Sequence, residues 1–266
     1  MCNRALFRRE LRNGVKLLLI FAAILTLYVA CIVALYDPAT VEMLDGFSQA
    51  MPELMAAVGM TGGSADLLGF LISYLYGFIL LVFPVVFSIL RGNGLIARYV
   101  DSGAMVYLLA APVKRRTVAL TQMAVLLWEV FLLLAYTTAL EAVLAQVLFP
   151  GALPLPALLA LNLGLWALHM AIAGICFFAS CLCHEEKHSA LLGAGLPALM
   201  YLFQMAANVG DGVKALRYAS LFTLFDPSGL AAGDSAALGK AAALLLAAAI
   251  LYPAGVAVFS RKDLSI

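Results

Sequence analysis

The sequence predicts an all-α integral membrane protein with six transmembrane helices and cytoplasmic N- and C-termini. Of its 266 residues, 65% are hydrophobic and only 12% are charged, where soluble chains carry about a quarter charged. Six apolar runs are long enough to cross a bilayer, which takes roughly 20 helical residues. Thirteen of the 16 Lys and Arg fall on one side of those runs, and such an excess marks the cytoplasmic side. This composition excludes a disordered chain, a nucleic-acid binder and an ordinary soluble enzyme. Five cysteines, an odd number and mostly inside apolar runs, do not form a secreted disulfide frame.

In chain order, residues 1–16 read as an interfacial helix. Arg4, Arg8, Arg12 and Lys16 recur every four residues beside Phe7 and Leu11, a pattern that suits a lipid headgroup layer. Span one, 17–36, is read as an uncleaved signal-anchor, because no small-x-small cleavage site follows it. The loop 37–66 carries five acids and no base, as an outer loop should, and Pro52 can open a second short helix within it. Span two covers 67–90. The cytoplasmic segment 91–117 holds Arg91, Arg98, Lys114, Arg115 and Arg116, with two short apolar helices separated by Asp101-Ser102-Gly103.

Span three, 118–149, is too long for one straight crossing and must project or tilt. Spans four, five and six follow at 157–183, 189–209 and 236–259. The outer segment 210–235 is apolar from Leu216 to Phe225, which suits either re-entry into the bilayer or a surface helix.

Few residues carry chemistry. His184-Glu185-Glu186-Lys187-His188 spells H-E-x-x-H, a zinc motif when both imidazoles share a helix face. It falls where the chain must turn between spans four and five, which breaks that face. No P-loop occurs. The stretch 233–241 has the wrong glycine spacing and ends Gly239-Lys240-Ala241, without the Ser/Thr that would hold Mg²⁺. No G-x-S-x-G or C-x-x-C occurs either. Glu129 and Glu141 lie inside span three, where an ionisable residue is expensive and marks either function or a helix-to-helix tie. Glu129 is expected near mid-membrane and Glu141 near the outer boundary, with Asn162 and His169 of span four as possible partners. Pro84, Pro197 and Pro253 interrupt spans two, five and six, each freeing a backbone carbonyl.

Several pieces carry a family resemblance: the basic start Phe7-Arg8-Arg9-Glu10-Leu11, Met51-Pro52-Glu53-Leu54 before span two, and the end Phe259-Ser260-Arg261-Lys262. Between them, Asp101-x-Gly103, Leu108-Leu109 and Pro112-x-x-Arg115 look like an acid-x-Gly…Leu-Leu…Pro-x-x-Arg signature. In this order, on six spans, the chain resembles the permease subunit of ABC-2-type (type V, ABCG-like) ABC transporters over nearly its full length.

The resemblance implies the ABC-2 permease fold as a multi-pass protein of the cell membrane, a bacterial plasma membrane, and ATP-driven export of an amphipathic or hydrophobic drug, peptide or lipid. The chain itself would hold no cofactor. ATP and Mg would be bound by a partner ABC ATPase subunit, and a second permease would complete a homo- or heterodimer. Arg98, Tyr99, Asp101, Gly103, Lys114, Arg115 and Arg116 would meet the ATPase. Glu129, with Tyr74 and Phe78 of span two and Tyr201, Phe203 and Gln204 of span five, would face the substrate. The competing expectations are an intramembrane zinc metalloprotease through His184 and His188, and a non-transporting anchor or sensor.

Overall fold

The computed structural model describes residues 2–60, 66–110, 113–209 and 211–262, and among them there is no strand. Among the described residues six helices are long and apolar enough to cross a membrane, the architecture of a multi-pass membrane protein. Helix α1 runs Arg4–Ala34, α2 Pro38–Ala50 and α3 Pro52–Ala57. The next crossing is composite: α4 (Leu67–Leu71), a π-helical segment Ile72–Ile79, and α5 (Leu80–Leu95). Two short helices, α6 (Ala97–Asp101) and α7 (Met105–Ala110), form an elbow before α8 (Arg115–Leu148). Helices α9 (Leu155–Leu182) and α10 (Glu186–Val209) follow, then 3₁₀ turns at Asp211–Ala219 and Leu221–Leu224, α11 (Pro227–Ala232) and α12 (Ser235–Arg261).

Helix α9 is the axis of the bundle. It is the most buried crossing and packs against α5, α8, α10, α11 and α12. Helix α1 leans mainly on α8. Helices α1, α10 and α12 leave wide apolar faces exposed. In lipid such faces cost nothing, because hydrocarbon tails are as apolar as Leu.

Two sequence expectations change. The basic segment 1–16 is not a separate interfacial helix: α1 continues through it without a break, for about 46 Å at 1.5 Å per residue. Nothing between Arg4 and Leu17 stops a helix, and the Asn3 side chain caps it by accepting the N–H groups of Ala5 and Leu6. The second change is that α5 extends to Leu95, so Arg91 belongs to a membrane-crossing helix and is buried. Pro52 opens α3, and α8 spans 34 residues, about 51 Å, longer than a hydrocarbon core. The signature residue Pro112 lies outside the described residues.

The two ends of the bundle are unlike. At one end Asn3 N–H bonds Thr121, Arg115 donates to the Lys262 carbonyl, and Lys262 Nζ reaches the Cys181 and Cys183 carbonyls at the end of α9. This basic end collects both described chain ends, the elbow and the α9–α10 turn. Burial and the two carbonyls hold Lys262 there, with desolvation lowering its pKa from the ordinary lysine value. The opposite end gathers α2, α3, the 3₁₀ turns and α11. There Asp226 caps α11 and pairs with Lys240 Nζ at 2.8 Å. That ammonium holds the Asp226 carboxyl below its usual range.

Candidate coupling site and its partners in the bundle

Two buried polar clusters bridge the helices, and prolines account for two further contacts. Pro84 has no N–H, so the Leu80 carbonyl four residues earlier loses its helical donor. His169 of α9 lies 2.8 Å from it through Nε2. Since a carbonyl only accepts, Nε2 carries the proton. Pro197 likewise frees the Gly193 carbonyl, and the Cys176 thiol donates to it at 3.2 Å. His169 is therefore a structural donor and not a partner of Glu129 or Glu141.

The first cluster lies near the basic end. Arg91 Nε donates to Glu129 Oε2 at 2.5 Å, and Arg91 Nη2 donates to the Glu10 backbone carbonyl at 2.6 Å. The Glu10 carboxylate is 3.8 Å from Nη2 and accepts from the Tyr99 hydroxyl at 2.6 Å. Both Glu10 and Glu129 are about 1% exposed. Buried carboxylates survive in a bundle only when paired, and here one guanidinium serves two. Gly14 makes the approach possible. A Cβ there would collide with Glu129 Oε1 and lie 3.0 Å from Arg91 Nε. Glu129 thus sits at the level of Gly14, before the apolar part of α1 begins.

The cluster reaches the elbow directly. Tyr99 is on α6, the Ala97 N–H donates to Ser180 Oγ of α9 at 2.9 Å, and the Asp101 carboxylate accepts the Glu186 N–H at 3.4 Å where α10 starts. Gly103 takes φ +70° in the turn to α7, a left-handed conformation that favours glycine. Met105 is buried beneath the elbow while Tyr107 is 83% exposed. Arg98, Asp101, Lys114 and Arg116 are exposed around it, and Arg115 is tied to the α12 end.

The second cluster lies nearer the opposite end and is held by hydrogen bonds, with no ion pair to Glu141 among the described residues. Tyr76, within the π-helical segment, donates to Glu141 Oε2 at 2.5 Å, and Asn162 Nδ2 donates to the Tyr76 hydroxyl at 2.6 Å and to the Leu158 carbonyl at 3.1 Å. It joins the composite crossing, α8 and α9.

Among the remaining sequence candidates, Phe78 and Tyr201 come together across the second and fifth crossings, with ring centroids 6.4 Å apart, and Tyr201 also packs edge-on to Phe222 at 5.2 Å. Gln204 accepts from the Thr223 hydroxyl at 2.5 Å. Tyr74 packs on Phe70 instead, centroids 4.7 Å apart, and Phe203 is half-buried on α10. Residues 184–185 lie in the bend after α9, and α10 begins at Glu186. His184 and His188 therefore do not share a helix face, and His188 Nδ1 lies 3.3 Å from the Glu185 carboxylate. No group of three metal-ligating side chains forms among the described residues.

Sequence reasoning placed Glu129 and Glu141 in polar contacts but missed Glu10, Arg91 and Tyr76. The available signal was the charge balance: two buried glutamates on the longest helix need donors, and Arg91 ends an otherwise apolar run. Comparison with family models, with curated proteins and with solved structures finds no match.

Proposed function

We propose that this chain is the membrane-spanning subunit of an ATP-driven exporter of the ABC-2 type, with the basic end of the bundle in the cytoplasm. The reading rests most on the α6–α7 elbow. It is a small helical projection on the basic end, tied to α1 through Tyr99–Glu10 and to α10 through Asp101–Glu186, with Tyr107 turned outward. An ATPase gripping the elbow would move α1 and α10 together, since both bonds span the joint. Lys114 and Arg116 add positive charge beside it.

In this reading ATP and Mg belong to a separate ATPase subunit, and a second permease pairs with the first to form the pathway. The Phe78–Tyr201 pair, with Gln204 three residues further along α10, supplies an aromatic wall suited to an amphipathic or hydrophobic substrate. Glu129, spent on Arg91, leaves the substrate path in this account and serves as the anchor of the elbow.

The test is co-purification with a stand-alone ABC ATPase expressed beside this chain. Tyr107→Asp, and separately Lys114→Glu with Arg116→Glu, should abolish capture while leaving the yield of the membrane chain unchanged. Arg115 is left intact because its bond to Lys262 holds the fold. Undiminished capture by both variants would refute the elbow as the docking element.

A further inference from the structure

A cavity of about 430 Å³ opens at the basic end between the start of α8 and the end of α12. Arg116 of α8 and Arg261 of α12 both line it, and no carboxylate does so among the described residues. We propose that this cavity holds an anionic glycerophospholipid of the adjoining leaflet, its phosphate between the two guanidinium groups and an acyl chain in the groove beneath them. The inference depends on the membrane placement of the bundle and not on an ATPase partner.

Helical spacing puts each arginine at the head of an apolar stripe. On α8, Leu120 and Met123 follow Arg116 at steps of four and three residues, and so share its face. Helix α12 returns to the same end, where Pro253 and Ala257 lead to Arg261 at steps of four. Pro253 and Ala257 are exposed and Leu120 and Met123 half-buried. An acyl chain thus meets apolar surface for about 10 Å below the arginines. Cations above and an apolar groove below is the profile of a phospholipid at the headgroup boundary.

The charge in this cavity is available to a ligand. The chain neighbours Arg115 and Lys262 are engaged within the fold, Arg115 on the Lys262 carbonyl and Lys262 on the Cys181 and Cys183 carbonyls. Arg116 and Arg261 are exposed and have no ion-pair or hydrogen-bond partner among the described residues. The described lining therefore carries two positive charges with nothing to offset them. Ser260 adds no charge, and its hydroxyl donates to the Val256 carbonyl at 2.6 Å. Guanidinium groups present paired N–H donors that match phosphate oxygens. Phosphatidylcholine offers the same phosphate but brings its own ammonium group, which two arginines repel, so the site selects a headgroup of net negative charge.

Native mass spectrometry of the detergent-purified full chain tests this, titrating phosphatidylglycerol against phosphatidylcholine of the same acyl chains. The unmodified chain should bind phosphatidylglycerol preferentially. Arg116→Gln and Arg261→Gln should each cut that preference about fivefold, the weight of one basic residue at a lipid surface. Arg12→Gln, which removes an exposed cation of the same end that does not line the cavity, should leave the preference unchanged. Ala257→Trp fills the groove at an exposed position with no change of charge, and should remove the bound phosphatidylglycerol. Inorganic phosphate at equal concentration should not displace the lipid. Equal binding of both lipids, undiminished preference in Arg261→Gln, an equal loss in Arg12→Gln, retention of the lipid by Ala257→Trp, or displacement by inorganic phosphate would each overturn the proposal.

Discussion

The two buried polar clusters sit on the same helix, α8, with Glu129 and Glu141 about 18 Å apart along it, yet they are built differently. The cluster at the basic end is ionic, with one guanidinium between two carboxylates from three helices, and it connects to an exposed elbow. The other is a chain of hydrogen bonds, Asn162 to Tyr76 to Glu141, closed inside the bundle. The difference teaches which end is built to respond. An ionic cluster is costly to disturb and reports on whatever moves its members, whereas hydrogen bonds between membrane helices each contribute little.

The contrast breaks most visibly at Arg91. Arg91→Met leaves two buried carboxylates without their counter-charge and should destabilise the chain by about 3–5 kcal/mol, measured by unfolding in detergent with rising denaturant. Adding Glu129→Gln to that variant should recover part of the loss, since one uncompensated charge is then gone. Next in size, Gly14→Leu drives a side chain into Glu129 and Arg91 and should cost about 1–3 kcal/mol as an overpacked contact. On the other side of the comparison, Glu141→Gln keeps a group that can accept from Tyr76. It should cost about 1 kcal/mol or less. A loss at Glu141 as large as that at Arg91 would erase the distinction between the clusters.

The smallest effect belongs to the opposite end. Asp226→Asn removes a partly exposed pair with Lys240, worth a few tenths of a kcal/mol at most. Its pH dependence is nonetheless informative. Lys240 holds the Asp226 pKa below its ordinary value. The stabilisation is therefore present above about pH 4, the unfolded carboxyl pKa, and is lost as pH falls through the lower folded value. Melting curves of the two proteins should separate slightly at pH 7 and coincide in strong acid.

Much of the fold was legible because membrane crossings announce themselves by length and apolarity, and all six appear where the runs lie. The short helices on either side of Pro52 and of Gly103 were legible from breakers and caps. The contacts were harder. Pro84 and Pro197 declare that a carbonyl is free, but only the packing of α9 shows that His169 and Cys176 answer them. Arg91 resembled a loop cation because it stands at the end of an apolar run. Its burial depends on Glu10, 81 residues away in sequence, and on a glycine that lets α1 approach. The π-helical segment Ile72–Ile79, which carries Tyr76, left no mark in the residue pattern, since its apolar run is continuous.

The most direct test concerns the elbow, on which the coupling account depends. Tyr107→Cys, in a chain whose five native cysteines are replaced, should react with a membrane-impermeant maleimide in inside-out vesicles and stay unlabelled in intact cells, while Val213→Cys at the opposite end should show the reverse. Labelling of position 107 from outside intact cells would contradict the account.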